Sequence, residues 1–205
     1  MVTLPERPVF PNIPPIHIEG VSITAFTPPY PASSSDGLVG IVNAADGELG
    51  FNVAGEGYLE GDATLGLGSY TATATDYQLR FYPQVQYSYS WTLVSVYSEP
   101  VISSAFFRIV VYRSDTDGAF QSVYDQTVNL WNEILISASF DAKGVSNSGY
   151  LNNYPEIVLD NVIAGSTYSL AITCLGTSEA GPRCLAIGLL DASIPYVIVE
   201  NFSTS

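Results

Sequence analysis

The sequence of 205 residues predicts an all-β protein, in which two antiparallel sheets form a sandwich with a jelly-roll or related Greek-key topology. First, apolar and polar residues alternate along many short segments, as they do in strands with one buried and one solvent-facing side. Second, 14 Tyr, 9 Phe and many β-branched residues suit a pleated surface, while 17 Gly and 13 Pro suit turns. Third, helix signals are almost absent and turn signals recur between short strands, which is typical of two packed sheets.

Residues 1–36 are predicted to form an extended, proline-rich N-terminal arm. Proline lacks a backbone N–H and restricts φ, which favours extended or polyproline II backbone. Within the arm, the alternation over residues 16–26 predicts one strand. A disordered linker is the alternative. The arm nevertheless carries apolar side chains that a solvated tail does not need: Val9, Phe10, Ile13, Ile16 and Ile18. We therefore expect the arm to dock on its own domain or on a neighbouring subunit.

Residues 37–205 are predicted to form the sandwich domain, with small strands in the glycine-rich, acidic segment 37–68 and regular strands over 69–202. The longest alternating run places Val85, Tyr87, Tyr89, Trp91 and Leu93 on one face. Such an aromatic stripe can stack on sugars, but its uniformly polar opposite face favours a buried stripe. Asp-Gly at positions 117–118, between two apolar runs, predicts a hairpin. Further strands are predicted over residues 134–140, 157–163, 168–174, 184–190 and 196–202.

The charge balance argues against two classes of partner. Twenty acidic residues oppose six basic ones, giving a formal charge of −14, and no two basic residues are adjacent. Nucleic-acid binding depends on clustered Lys and Arg, so we expect no nucleic-acid partner. Anionic membranes are disfavoured for the same reason. The sequence also has no stretch of about 18 apolar residues, so we expect no membrane insertion. The first residues lack the basic start and apolar run of a signal peptide, so location stays unknown, with a virion or extracellular surface as the hypothesis.

Catalytic motifs are not evident. The chain has one histidine, His17, in the arm, and no Gly-x-Ser-x-Gly motif, so a Ser-His-Asp or Cys-His site is not expected. The pairs Glu60 with Asp62 and Asp115 with Asp117 are candidates for the two carboxylates of a glycoside hydrolase. Because 20 acidic residues produce such near pairs by chance, we expect a non-enzymatic protein.

Metal binding and a disulfide are both open. Residues Asp115, Asp117 and Gly118 resemble the start of a calcium loop, but its third acidic ligand and terminal Glu are missing and a hairpin turn explains the same residues. We expect no cofactor, with weak calcium binding as the alternative. Cys174 and Cys184 enclose a turn-forming loop. If the flanking strands pair, the two sulfurs can form a disulfide; otherwise they are buried free thiols.

A recognition loop is predicted over residues 141–155, which combine Asn, Ser, Gly and Tyr. Its candidate ligand-binding residues are Tyr150, Asn152, Asn153 and Tyr154, and a glycan is the candidate ligand. A plain solvated loop is the alternative. Asn201 begins a glycosylation sequon, a match expected by chance in a chain with this many Asn residues.

Three functions remain. The first is a non-enzymatic, oligomeric structural protein of a virion surface (a decoration or fibre component) or of a cell-surface assembly, held together through the N-terminal arm. The second is a carbohydrate- or ligand-binding β-sandwich module, which rests on the Tyr/Asn segment. The third is a carboxylate-dependent glycoside hydrolase.

Overall fold

The computed structural model describes residues 20–36, 39–96, 99–152 and 156–203, and its strands form two antiparallel sheets that pack face to face. The predicted β-sandwich is therefore confirmed. In the described part of the chain no helix is long and apolar enough to cross a membrane. The strands of these residues are β1 (Val21–Phe26), β2 (Ala32–Ser35), β3 (Gly40–Asn43), β4 (Glu48–Gly55), β5 (Gly57–Thr71), β6 (Asp76–Ser95), β7 (Val101–Ser114), β8 (Phe120–Leu135), β9 (Asp141–Asn152), β10 (Ile157–Asp160), β11 (Thr167–Ala180) and β12 (Leu185–Ser203).

Sheet A is built around the long central pair β6 and β12. Its main path is β10-β6-β12-β4-β3, with β9 added beside β6 and β1 beside β12. Since β12 takes one edge of β6 along nearly its whole length, β9 and β10 share the other edge. Sheet B has the order β2-β5-β11-β7-β8. Both sheets therefore end, on the same side of the sandwich, in strands that have one neighbour each.

The core lies between the sheets, where the predicted alternation holds well. Along β11, buried and partly exposed residues alternate through almost the whole strand. The largest fully buried side chains include Phe51, Phe81 and Phe107. Glycine makes room for one of them, since a Cβ on Gly176 would lie 2.2 Å from the Phe51 ring. A strand glycine at a close approach of this kind is set by packing, not by turn formation.

The described part of the arm is integral to the sandwich. β1 pairs with β12 from Val21 opposite Phe202 to Phe26 opposite Val197, so the predicted strand is confirmed for residues 21–26. β2 pairs with β5 in the other sheet. Residues 1–19, with the rest of the predicted arm and His17, lie outside the described residues.

Regular strands begin earlier than expected. The segment 37–68 was predicted to hold only small strands, but β5 is 15 residues long and pairs with β11 from Gly57 to Thr71. Glycines weaken the strand signal in this sequence, while the paired backbone of β11 supplies the hydrogen bonds that hold the strand.

The predicted hairpin is confirmed. The Asp115 amide donates to the Ala119 carbonyl at 2.8 Å and the Gly118 amide donates to the Asp115 carbonyl at 3.0 Å, which closes the turn between β7 and β8. Gly118 has φ of 88°, in the left-handed region that favours glycine.

Two predictions around residue 140 are wrong. The strand predicted over 134–140 ends at Leu135, and Ile136 and Phe140 are 63% and 71% exposed in the connection that follows. The recognition loop predicted over 141–155 is a strand as far as Asn152. Asn, Ser and Gly give a weak local strand signal, but β9 pairs with β6 from Asp141 opposite Ser95 to Asn152 opposite Gln84. Pairing with a long edge, not local propensity, determines this strand.

Candidate functional site

The predicted ligand-binding residues do not form a loop site. Tyr150 is 64% exposed on β9, opposite Gln86, and points to the outer face of sheet A. Asn152 is the last residue of the strand, while Asn153 and Tyr154 lie outside the described residues. Of the two described members of the set, Tyr150 is a single exposed ring on a strand and Asn152 ends that strand.

The other face of β9 borders an aromatic surface that the sequence analysis placed in the core. In the β6–β9 pair, Val145 lies opposite Trp91, Asn147 opposite Tyr89, and Gly149 opposite Tyr87. Cross-strand partners share one face of a sheet, so these β9 residues point toward sheet B. Val145 is nevertheless 45% exposed, and Tyr87 and Tyr89 are only half-buried. Sheet B therefore does not fully cover the inner face of sheet A at this position.

In the facing sheet B, Trp131 and Val128 of β8 are the cross-strand partners of Ala105 and Phe107 of β7. Ala105 and Phe107 are buried in the core, so Trp131 and Val128 also lie on the inner face of sheet B. We call the space between the inner sides of β8 and β9 the β8–β9 cleft. Its partly or fully exposed residues are Tyr87, Tyr89, Val128, Val145 and Asn147, and the buried Trp131, 6% exposed, packs against Tyr89.

The rings of the cleft form a continuous row. Tyr87 and Tyr89 are stacked with centroids 6.2 Å apart and planes at 10°, and Tyr89 stacks on Trp131 at 4.9 Å. Tyr87 packs edge-on against Phe107 at 5.8 Å. Its hydroxyl reaches across β9, since a Cβ on Gly149 would lie 2.5 Å from that oxygen. Aromatic neighbours on both sides fix the ring orientations, and this leaves a rigid platform with polar edges.

Polar groups border the row. The Asn147 amide lies 3.4 Å from the Tyr89 hydroxyl, to which it donates. At the end of the cleft, Lys143 of β9 bridges to Glu133 of β8 in an ion pair, and its ammonium lies 5.3 Å from the Trp91 ring centre. Burial, followed by the nearby Tyr89, raises the pKa of the Tyr87 hydroxyl, so this group is a neutral hydrogen-bonding group at physiological pH.

Further along the same side, residues of β7, β8, β10 and β11 line a small, partly open cavity of about 160 Å³. It is lined by Arg113, Val123, Val158, Leu159, Asp160, Asn161 and Tyr168. Its volume fits a few water molecules or one side chain, since a water occupies about 30 Å³ of liquid. The side chains along this whole side provide aromatic and apolar surface with scattered hydrogen-bonding groups. Such a surface suits the binding of a ligand or of another protein chain.

The candidate calcium residues already have protein partners. Ser166 donates to Asp115 at 2.6 Å, and Arg113 forms an ion pair with it at 2.7 Å. The hydrogen bond from Ser166, followed by that from Arg113, lowers the pKa of Asp115. Asp117 accepts the Ala119 amide at 2.9 Å. Over the described ranges, no group of three or more His, Cys, Asp or Glu side chains is placed to hold a metal ion.

The strand pairing on which the disulfide alternative depended is not present, and the cysteines correspond to the other alternative, free thiols. The strands that flank the Cys174–Cys184 loop do not pair, because β11 lies in sheet B and β12 in sheet A. Both cysteines are buried free thiols. Cys184 contacts the backbone of Val96, whose amide lies 3.3 Å from the sulfur.

The carboxylate pair Glu60 and Asp62 points outward from β5. Tyr58 donates to Glu60 at 2.6 Å. Partial burial, with the charges of Asp36 and Glu60, raises the pKa of Asp62. Asp36 and Glu60 thus both lie close enough to Asp62 for their charges to act on it.

Sequence reasoning identified the aromatic stripe but not its exposure. The residues of β9 from 141 to 148 are exposed on both faces of the strand. A strand with polar or small residues on both faces has no covering layer, and this pattern was the available signal in the sequence.

No protein-family model matches the sequence, and no curated protein matches it. Among solved structures, two of infectious bursal disease virus are similar to the chain: the Gx strain at 14% identity with a TM-score of 0.29, and the Gt strain at 13% with 0.31. The alignments cover 88% and 94% of this chain but 36% and 43% of the virus chains, so the chain spans less than half of their length. TmCBM61 in complex with β-1,4-galactotriose is similar at 17% identity with a TM-score of 0.25, covering 84% of this chain and 88% of that one. Likenesses this weak carry no information about what the chain binds.

Proposed function

We propose that this chain is a non-enzymatic structural protein that assembles with copies of itself, in a virion-surface or cell-surface assembly. The observation that supports this most directly is the side of the sandwich formed by β8 and β9. These strands are 16 and 12 residues long, and no described strand pairs with the outer edge of either. Long open edges are templates for pairing with another chain, and proteins ordinarily shield them.

Exposed apolar side chains near the same side add to this support. Ile134, Ile136 and Phe140 are 54%, 63% and 71% exposed at the end of β8 and in the connection to β9. Covering these side chains and the β8–β9 cleft would remove apolar surface from water, which favours association.

The charge of −14 sets the conditions for assembly. Like charges on the copies repel one another, and salt screens that repulsion over about 8–10 Å at physiological ionic strength. We therefore expect assembly to strengthen as salt rises.

The test is the mass in solution, measured by light scattering over a wide concentration range at low and high salt. Deletion of residues 1–15 serves as the companion variant. The expected result is an oligomer that is favoured by salt and lost on deletion. A monomer at every concentration and salt would overturn the proposal.

A second candidate function, glycan binding, is favoured by the composition of the cleft. Tyr87 and Tyr89 present parallel rings beside the Asn147 amide and the Lys143–Glu133 pair. Aromatic faces with adjacent hydrogen-bonding groups suit sugar rings. A glycan array with the wild type and Asn147→Ala tests it, with Tyr150→Ala reporting on the outer face. No bound glycan for the wild type would remove this candidate.

A further inference from the structure

The first fifteen residues carry a regular proline spacing. Pro5, Pro8, Pro11 and Pro14 recur at every third position. A polyproline II helix has three residues per turn, so in that conformation all four prolines align along one edge. Proline-rich segments of this kind dock in grooves lined by aromatic side chains, because their conformation is already restricted before binding.

We propose that residues 5–14 of one copy bind as a polyproline II segment in the β8–β9 cleft of a second copy. This inference rests on the assembly function proposed above and names the contact that carries it. The half-buried rings of Tyr87 and Tyr89 form the surface on which the proline edge packs, and the buried Trp131 stacks on Tyr89 and holds its ring in place. The Asn147 amide and Tyr hydroxyls beside that surface can bond the peptide carbonyls that a polyproline II segment leaves free.

The lengths agree. Along β8, the side runs from Glu133 at the ion pair with Lys143 to Val123 at the small cavity. Those ten steps span about 33 Å in a strand. The nine steps from Pro5 to Pro14 span about 28 Å at the polyproline II rise. One segment thus fills the side from one end to the other.

The position of Gly20 favours a second copy of the chain as the source of the bound proline-rich segment. Gly20 lies at the end of sheet A, where its carbonyl accepts the Ser203 amide. β1 then runs beside β12, on the edge of the sheet opposite to the cleft. β12 and β6 therefore separate Gly20 from the cleft of its own chain.

Electrostatic repulsion also favours contact through the N-terminal arm over contact between the sheet faces of two copies. Glu6 and Arg7 are the only charged side chains in residues 1–15, so this segment brings no net side-chain charge onto a chain of −14. Contact between two acidic sheet faces would instead bring like charges together.

The test uses full-length chains and light scattering, with matched variants on adjacent residues of β9. Val145→Glu places a charge in the cleft, while Ser146→Glu places the same charge on the exposed opposite face. In the arm, Pro8→Ala with Pro11→Ala disrupts the proline edge, while Asn12→Ala lies off it. We expect the concentration for half-dissociation to rise at least about tenfold for the cleft and proline variants, and less than about twofold for the controls. An excess of synthetic peptide 1–19 should dissociate the wild type.

Three other outcomes would each overturn a specific part of the proposal. An oligomer that all four variants leave intact would overturn this inference while sparing the assembly function. A monomer at all concentrations would overturn both. A monomer whose residues 1–19 become sensitive to protease only in Val145→Glu would show docking within one chain and overturn the assignment to a second copy. Circular dichroism and the unfolding midpoint confirm that each variant is folded.

Discussion

The side-chain amide of Asn201 donates hydrogen bonds to the Asp76 carboxylate at 2.8 Å and to the Tyr70 hydroxyl at 2.6 Å. Its carbonyl accepts the Ser22 backbone amide at 3.2 Å. Asn201 is 5% exposed, so this one buried side chain connects β12 to β1, β5 and β6. The same burial and hydrogen bonding make Asn201 inaccessible to glycosylation in the folded protein, in agreement with the interpretation of its sequon as a chance match.

Replacing Asn201 with Ala should lower the free energy of unfolding by about 1–3 kcal/mol, because Asp76, Tyr70 and Ser22 each lose a buried partner. Urea unfolding measures the change. Asn129→Ala on the exposed side of β8 is the matched control, with an expected change within about 0.5 kcal/mol. Equal effects of the two substitutions would contradict the structural role of Asn201.

Asp76 should make stability depend on pH in the acid range. Burial tends to raise its pKa, but hydrogen bonds from the Thr73 amide, the Tyr70 hydroxyl and the Ser203 hydroxyl outweigh burial and lower it. A carboxyl with a lowered pKa stabilises the fold above its unfolded value of about 3.9, and this contribution is lost as pH falls through the folded pKa. The stability gap between wild type and Asp76→Asn should therefore be full at neutral pH and shrink below about pH 4. Thermal unfolding across pH measures the gap, and a gap independent of pH would contradict the prediction.

The effect of Asp62 on stability should have the opposite sign, because its ionised form destabilises the folded state. Partial burial and the charges of Asp36 and Glu60 raise its pKa, so the ionised form is disfavoured in the folded state. That penalty is present above the raised pKa and disappears as pH falls below the unfolded value of about 3.9. We expect Asp62→Asn to raise the Tm at about pH 7 and to leave it unchanged at about pH 3. The same substitution at the exposed Asp191 is the control, and a lower Tm for Asp62→Asn at neutral pH would refute the prediction.

The thiols should be inert until the chain unfolds. Cys174 and Cys184 are free and buried, and burial raises the pKa of Cys174 to about 12, so its reactive thiolate is nearly absent at neutral pH. A colourimetric thiol reagent should react slowly with the native protein and titrate both cysteines after unfolding. Reductant should leave the Tm unchanged. A Tm that falls on reduction would instead indicate a disulfide.

Local pattern determined much of the fold. The alternation from Val85 to Leu93 gave the inner face of β6, and the Asp-Gly turn gave the β7–β8 hairpin. These features depend on neighbours along the chain: strand side chains alternate by geometry, and glycine adopts positive φ without steric cost. The strand of residues 21–26 was predictable for the same reason.

Tertiary structure alone decided which surfaces are covered. β9 has little strand propensity of its own, and it is a strand because the long edge of β6 pairs with it. Tyr87 and Tyr89 share a stripe with Val85 and Leu93, yet the stripe is half-exposed where sheet B ends at β8. The hairpin that would have paired the strands of Cys174 and Cys184 does not form, because β11 and β12 lie in different sheets. A sequence specifies which side of a strand is apolar, whereas the position of the second sheet, set by contacts distant in the chain, decides how much of that side is buried.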